Sequence, residues 1–98
     1  MILPLIVNPE AEADLAEAKA WYDGRQPGLG DEFLLCVDEA FQGIRQGPEL
    51  HPRVFQRLRI ALVRRFPFSV IYRQDDDQIT VLAVYHTRRD PRGWRNRA

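Results

Sequence analysis

Apolar and polar residues alternate along the second half of the chain, most clearly between Leu58 and Pro91. Leu58, Ile60 and Leu62 alternate with Arg59, Ala61 and Val63, and Phe68, Val70 and Tyr72 alternate with Ser69, Ile71 and Arg73. Ile79, Val81, Ala83 and Tyr85 alternate with Thr80, Leu82, Val84 and His86. A period of two, rich in β-branched and aromatic residues, predicts three strands. The breaks at Phe66-Pro67 and Asp75-Asp76-Asp77 are short enough to join antiparallel neighbours. Both faces of the last strand are apolar, as a central strand covered on each side requires.

The first half carries a different period. Ile2 to Val7 is a short apolar run interrupted by Pro4, which cannot donate to a ladder and so predicts an edge strand. Asn8-Pro9 reads as a helix cap and first-turn proline, and Glu10, Glu12 and Asp14 place negative charge at the positive end of that helix. Ala11, Leu15, Ala18 and Tyr22 form one apolar stripe, so the helix extends to about Arg25. Pro27-Gly28-Leu29-Gly30 breaks it. A second helix opens at Gly30 or Asp31, turns Phe33, Leu34, Val37, Ala40, Phe41 and Ile44 inward, and stops at Gly47-Pro48. So short a connection predicts an antiparallel helical hairpin. The expected fold is α+β in the order β-α-α-β-β-β: an N-terminal edge strand and a helical hairpin packed on a small antiparallel sheet. Phe33, Val37 and Phe41, with Leu15 and Tyr22, are the expected core contacts, and the arginine-rich tail after Pro91 is expected to be only partly ordered.

Composition adds limits. A length of 98 residues predicts one domain, 1–98, stable by about 5–10 kcal/mol. No apolar run approaches the ~20 residues of a membrane span, and the N-terminus lacks a secretory pattern. Cys36 has no second cysteine to pair with. Together these predict a cytoplasmic protein without a membrane partner. Residues 1–50 hold ten acids and three bases, a net of −7, whereas residues 51–98 hold four acids and eleven arginines, a net of +7. No lysine follows Lys19. Arginine suits bidentate contact with carboxylate or phosphate, so the imbalance predicts either neutralisation between the halves or an anionic partner.

Candidate chemistry is sparse. His51, His86 and Cys36 lack metal-ligand spacing, so neither a metal nor another cofactor is expected. Ser69, the one serine, sits in a strand beside a proline turn, a poor setting for a nucleophile. Pro27-Gly28-Leu29-Gly30 lacks the lysine and the strand–loop–helix setting of a phosphate loop, and Asp75-Asp76-Asp77 reads as a solvated hairpin tip.

A series of local strings runs along nearly the whole chain: Pro9 with Ala13-Asp14-Leu15, Trp21-Tyr22, Pro27-Gly28-Leu29-Gly30 and Phe33-Leu34. It continues through Pro48, Arg65-Phe66-Pro67-Phe68, Val70-Ile71-Tyr72 and Val84-Tyr85-His86-Thr87-Arg88-Arg89-Asp90-Pro91, and ends at Trp94. In this order they resemble the RelE/ParE superfamily of toxins from bacterial type II toxin–antitoxin systems. The resemblance implies a growth-inhibiting toxin neutralised by a cognate antitoxin, with DNA gyrase or the ribosome with its mRNA as target. In the ribosome-dependent mRNA endonuclease reading, His86 would move the proton while Arg59, Arg65 and Arg88 hold the phosphate. The nuclease members often place a tyrosine in the tail, where this chain has Trp94, whose indole cannot shuttle protons. The gyrase reading is therefore preferred, with Arg88, Arg89, Arg92, Trp94 and Arg95 as target contacts. An inactive relative kept as an antitoxin partner is the third reading. Arg59, Val63, Arg65 and Trp21 are the expected antitoxin contacts, although Trp21 also fits the core, the preferred placement.

Overall fold

The computed structural model describes residues 2–98. Strand β1 (Leu5–Val7) leads into helices α1 (Pro9–Arg25) and α2 (Leu29–Gln46). A single 3-10 turn (Pro48–Leu50) precedes strands β2 (Arg53–Phe55), β3 (Leu58–Leu62), β4 (Phe68–Gln74) and β5 (Ile79–His86), and a short helix α3 (Arg92–Arg95) ends the chain. The sheet order is β1-β5-β4-β3-β2. From β2 to β5 the strands form an antiparallel meander, but β1 pairs with β5 in parallel, Leu5 opposite Ile79 and Val7 opposite Val81. The sheet is therefore mixed, not purely antiparallel as expected. A meander leaves the outer edge of its last strand open, and the N-terminal strand fills it. Pro4 precedes β1 and uses only its carbonyl, which accepts from the Ile79 N–H at 2.9 Å; the missing donor costs nothing there. Strand β2 is an added edge strand.

One irregularity decides which side chains face which way. Val70 pairs with Val84 and Ile71 with Ala83, but Tyr72 pairs with Val81, so Leu82 is an extra residue in β5. Two residues opposite one reverse the alternation beyond that point. Ile79, Val81 and Val84 pack toward the helices, while Leu82, Ala83 and Tyr85 form the back face. Strict alternation had grouped Ile79 and Val81 with Ala83 and Tyr85; the bulge corrects it. The back face is closed by Phe55 and by Trp94, which is only 7% exposed. The tail is thus an ordered helix held by a buried indole, contrary to the expectation of partial order.

On the other face, α1 buries Ala11, Ala18 and Tyr22, and α2 buries Phe33, Cys36, Val37 and Ile44. Tyr22, Phe33, Phe66 and Phe68 form an aromatic cluster, with Phe33 centred 5.3 Å from Tyr22, 5.3 Å from Phe66 and 4.9 Å from Phe68. Leu15 and Phe41 are only partly buried at the margin of this core. Asn8 occupies the cap position of α1 with extended backbone, yet its side chain makes no capping bond. Its N–H instead donates to the Val81 carbonyl at 3.0 Å.

The hairpin turn depends on two glycines. Gly28 has φ +87°, a left-handed conformation that strains other residues. A Cβ at Gly30 would lie 2.5 Å from the Lys19 carbonyl oxygen. Asp23 accepts from the Gly30 N–H at 2.7 Å and from Lys19 Nζ at 2.8 Å, so it caps α2 from the facing helix. The Lys19 bond first, and then the Gly30 N–H, hold the Asp23 carboxyl below the usual carboxylate range. Gly30→Ala must push the two helices apart, a strain of about 1–3 kcal/mol. A lowered thermal midpoint is expected; an unchanged one would mean the hairpin tolerates a wider spacing.

Candidate binding surface

A cleft of about 460 Å³ opens between α1 and the adjoining ends of β4 and β5. Ala18, Tyr22, Phe68 and Val84 make its apolar wall, and Trp21, Glu17, His86 and Arg89 stand around it. Trp21 is 55% exposed, which corrects its expected place in the core. It stands edge-on to Tyr22 at 5.1 Å, with the Arg25 guanidinium 4.4 Å above its ring. Tyr22 takes the inward position of that helical turn, which leaves its neighbour outside.

The bulge also brings His86 to this side. Its ring lies 5.3 Å from Phe68, and its Nδ1 accepts from the Arg88 N–H at 3.1 Å. That bond assigns the proton of the neutral imidazole to Nε2.

Beyond the end of β1, the edge of β5 is completed by side chains. Asp14 accepts from the Val84 N–H at 3.0 Å, and Arg97 donates to the Leu82 carbonyl at 3.1 Å. The two side chains pair with each other through contacts of 2.6 and 3.2 Å. Asp14 raises the Arg97 pKa against the opposing effect of burial. The clasp ties the C-terminus to α1 across the cleft wall. Nothing in the periodicity marks it, because its partners are 83 positions apart.

The candidate arginines and their neighbours fall into separate settings. Arg59 donates to the His51 carbonyl at 2.6 Å and is paired in register with Tyr72. The buried Tyr72 hydroxyl donates to the Pro48 carbonyl, and burial pushes its pKa up to about 12. His86 pairs with Phe68, four residues from Tyr72 along β4, so Arg59 lies ~13 Å away along the sheet. Arg65, with φ +74°, pairs with Glu32 at 3.1 Å, while Arg64 holds Glu39 by contacts of 2.8 and 3.1 Å. Arg92 pairs with Asp90 at 2.8 Å. Arg88, Arg89 and Arg95 are exposed and have no carboxylate partner among the described residues. Arg89 lies over Tyr85 at 4.2 Å, and Arg95 over Phe55 at 5.2 Å and Trp94 at 5.7 Å. Of the three arginines grouped with His86 for phosphate contact, Arg59 is the one the register sets far from it, whereas the Arg88 backbone touches its ring. Of the four expected antitoxin contacts, Trp21 and Arg65 reach the surface, Arg59 is half-buried and Val63 is buried.

Among the described residues no group of three His, Cys, Asp or Glu side chains is placed to hold a metal ion. No described helix is long and apolar enough to cross a membrane.

This arrangement, a helical hairpin on a five-stranded mixed sheet, is the RelE/ParE-like α+β fold. It superposes with a TM-score of 0.78 on a chain of the solved "Chromosomal ParDE TA system from P. aeruginosa", covering 87% of this chain and 96% of that one at 20% identity. The sequence is 34% identical over 88 residues to Toxin ParE2 of Mycobacterium tuberculosis, in both strain CDC 1551 / Oshkosh and strain H37Rv, covering 89% of this chain and 84% of the relative. Residues 5–91 match the family described as "ParE toxin of type II toxin-antitoxin system, parDE". The chain belongs to the ParE toxin family.

Proposed function

We propose that this toxin stops growth in the cytoplasm by binding DNA gyrase, and that a cognate antitoxin neutralises it. The observation that carries the preference for binding over catalysis is the distance of Arg59 from His86 along the sheet. A metal-free nuclease needs a proton carrier and several cations around one phosphate. Here Arg59 is tied to a backbone carbonyl far along the sheet, and Arg65 is taken by Glu32. Arg88, Arg89, Arg92 and Arg95 make the target-facing surface, with Trp94 as its buried support. The apolar cleft beside Trp21 suits an apolar side chain of the antitoxin.

Purified protein should block supercoiling of relaxed plasmid by gyrase and leave mRNA on programmed ribosomes uncut. His86→Gln keeps a hydrogen-bonding shape without a transferable proton, so inhibition should stay within a few-fold. Loss of general acid–base catalysis would instead cost about 10²–10⁴ in rate. Cut mRNA that disappears with His86→Gln would replace the gyrase reading by the nuclease one. Inactivity in both assays would point to a relative that has lost toxicity.

A further inference from the structure

Among the described residues, Arg88, Arg89 and Arg95 differ from the other tail arginines in having no carboxylate at ion-pair distance. The one acid in residues 86–98 is Asp90, and Arg92 occupies it so firmly that its carboxyl is held below the usual range. Arg97 is consumed by Asp14. Exposed arginine side chains ordinarily sample many rotamers, and ordering them opposes binding. Two of these three lie over rings of one aromatic cluster, a contact that offsets part of that cost. Tyr85, Trp94 and Phe55 share the back-face core, and Tyr85 has Arg89 over it at 4.2 Å and Arg97 at 5.2 Å. A Cβ on Gly93 would overlap the Tyr85 hydroxyl, so glycine lets α3 seat directly on that ring. The rings themselves are buried, Tyr85 at 5% and Trp94 at 7% exposure, so they support guanidinium groups and are closed to stacking bases. Much of the chain's acid lies on the hairpin layer, where nine of the fourteen acids fall within α1 and α2.

We propose that Arg88, Arg89 and Arg95 form a contact surface for the phosphodiester backbone of a nucleic acid, read by charge and not by base sequence. The inference deepens the gyrase reading, from which it takes duplex DNA as the source of the phosphates, because gyrase works on DNA that a bound inhibitor can also touch. Guanidinium forks match phosphate oxygens in pairs, and with the bases out of reach only the backbone is contacted.

The test is a titration of the isotope-labelled toxin with short duplexes in the absence of gyrase, following the arginine Nε–H signals by NMR at several salt concentrations. Signals of Arg88, Arg89 and Arg95 should move with duplex DNA. With three phosphates neutralised, log K should fall with log salt at a slope near −2.7, about 40-fold between 50 and 200 mM. Replacing the three arginines by glutamine should remove the binding and the salt slope while the thermal midpoint stays in place. Replacing the paired Arg64 and Arg65 should leave both unchanged. An RNA duplex that binds more tightly than DNA through the same arginines would assign the phosphates to RNA. An acidic peptide of equal charge binding as well as the duplexes would overturn the proposal, as would duplex DNA that moves none of the three signals. Because no gyrase is present, failure of the supercoiling assay leaves this result standing, and the reverse also holds.

Discussion

A chain ending at Pro91 is expected to melt at least about 15 °C below the intact protein, or to lose its cooperative transition altogether. The truncation removes Trp94, whose loss from a core site costs about 3–5 kcal/mol by itself. It also removes Arg97, leaving the Asp14 carboxylate, only 9% exposed in its side chain, without its cation and the Leu82 carbonyl without its donor. Stranding one partner of a largely buried ion pair adds to the loss. Set against a total of about 5–10 kcal/mol for a domain of this size, the sum takes most of the stability. Thermal unfolding followed by circular dichroism measures it directly. Trp94→Ala should reproduce most of the loss, and Arg97→Ala a smaller part. A truncated chain melting with the intact one would mean that α3 contributes nothing to the back-face core. A tail deletion that abolishes toxicity therefore says little about target contact; substitutions at the exposed Arg88, Arg89 and Arg95 separate the two effects.

Phe33→Ala is the second change expected to have a large effect. Phe33 is fully buried and lies between α1 and the sheet, against Tyr22, Phe66 and Phe68. Removing the ring leaves a cavity that three large neighbours cannot all fill, at about 3–5 kcal/mol. Lost aromatic pairing, about 0.5–1.5 kcal/mol per pair, contributes part of that figure. Urea unfolding should show a lower midpoint with the slope unchanged, the signature of lost stability in a folded state of the same compactness. Phe41→Ala serves as the comparison. Its ring is only partly buried at the edge of the same core, so its loss should cost clearly less. Equal effects at the two positions would mean that α2 is rotated about its axis from the orientation described here.

What the sequence determined by itself was the set of elements whose signals are local. Ala11, Ala18 and Tyr22 recur at the helical period, Gly28 and Gly30 mark the hairpin turn, and Pro4 marks an edge. These follow from backbone preference and from which residues must leave water, both readable within a short window. Strands β3, β4 and β5 were legible for the same reason. The ordered strings from Pro9 to Trp94 pointed to the family for a different reason, by resemblance. The tertiary structure alone decided how the elements meet. The bulge at Leu82 was silent in the pattern because Leu82, Ala83 and Val84 are apolar and satisfy either face; yet it sets the faces of Tyr85 and His86. Trp21 and Tyr22 are adjacent and both aromatic; the helical stripe already turned Tyr22 inward, and only the seating of α1 left Trp21 outside. The tail read as a charged, partly ordered segment because its one apolar anchor, Trp94, has a partner surface only after β5 and β2 are in place. Whether an arginine is free is likewise a matter of distance. Asp14 claims Arg97, Glu32 claims Arg65 and Asp90 claims Arg92, and what remains exposed on the aromatic cluster is what the fold leaves for a partner.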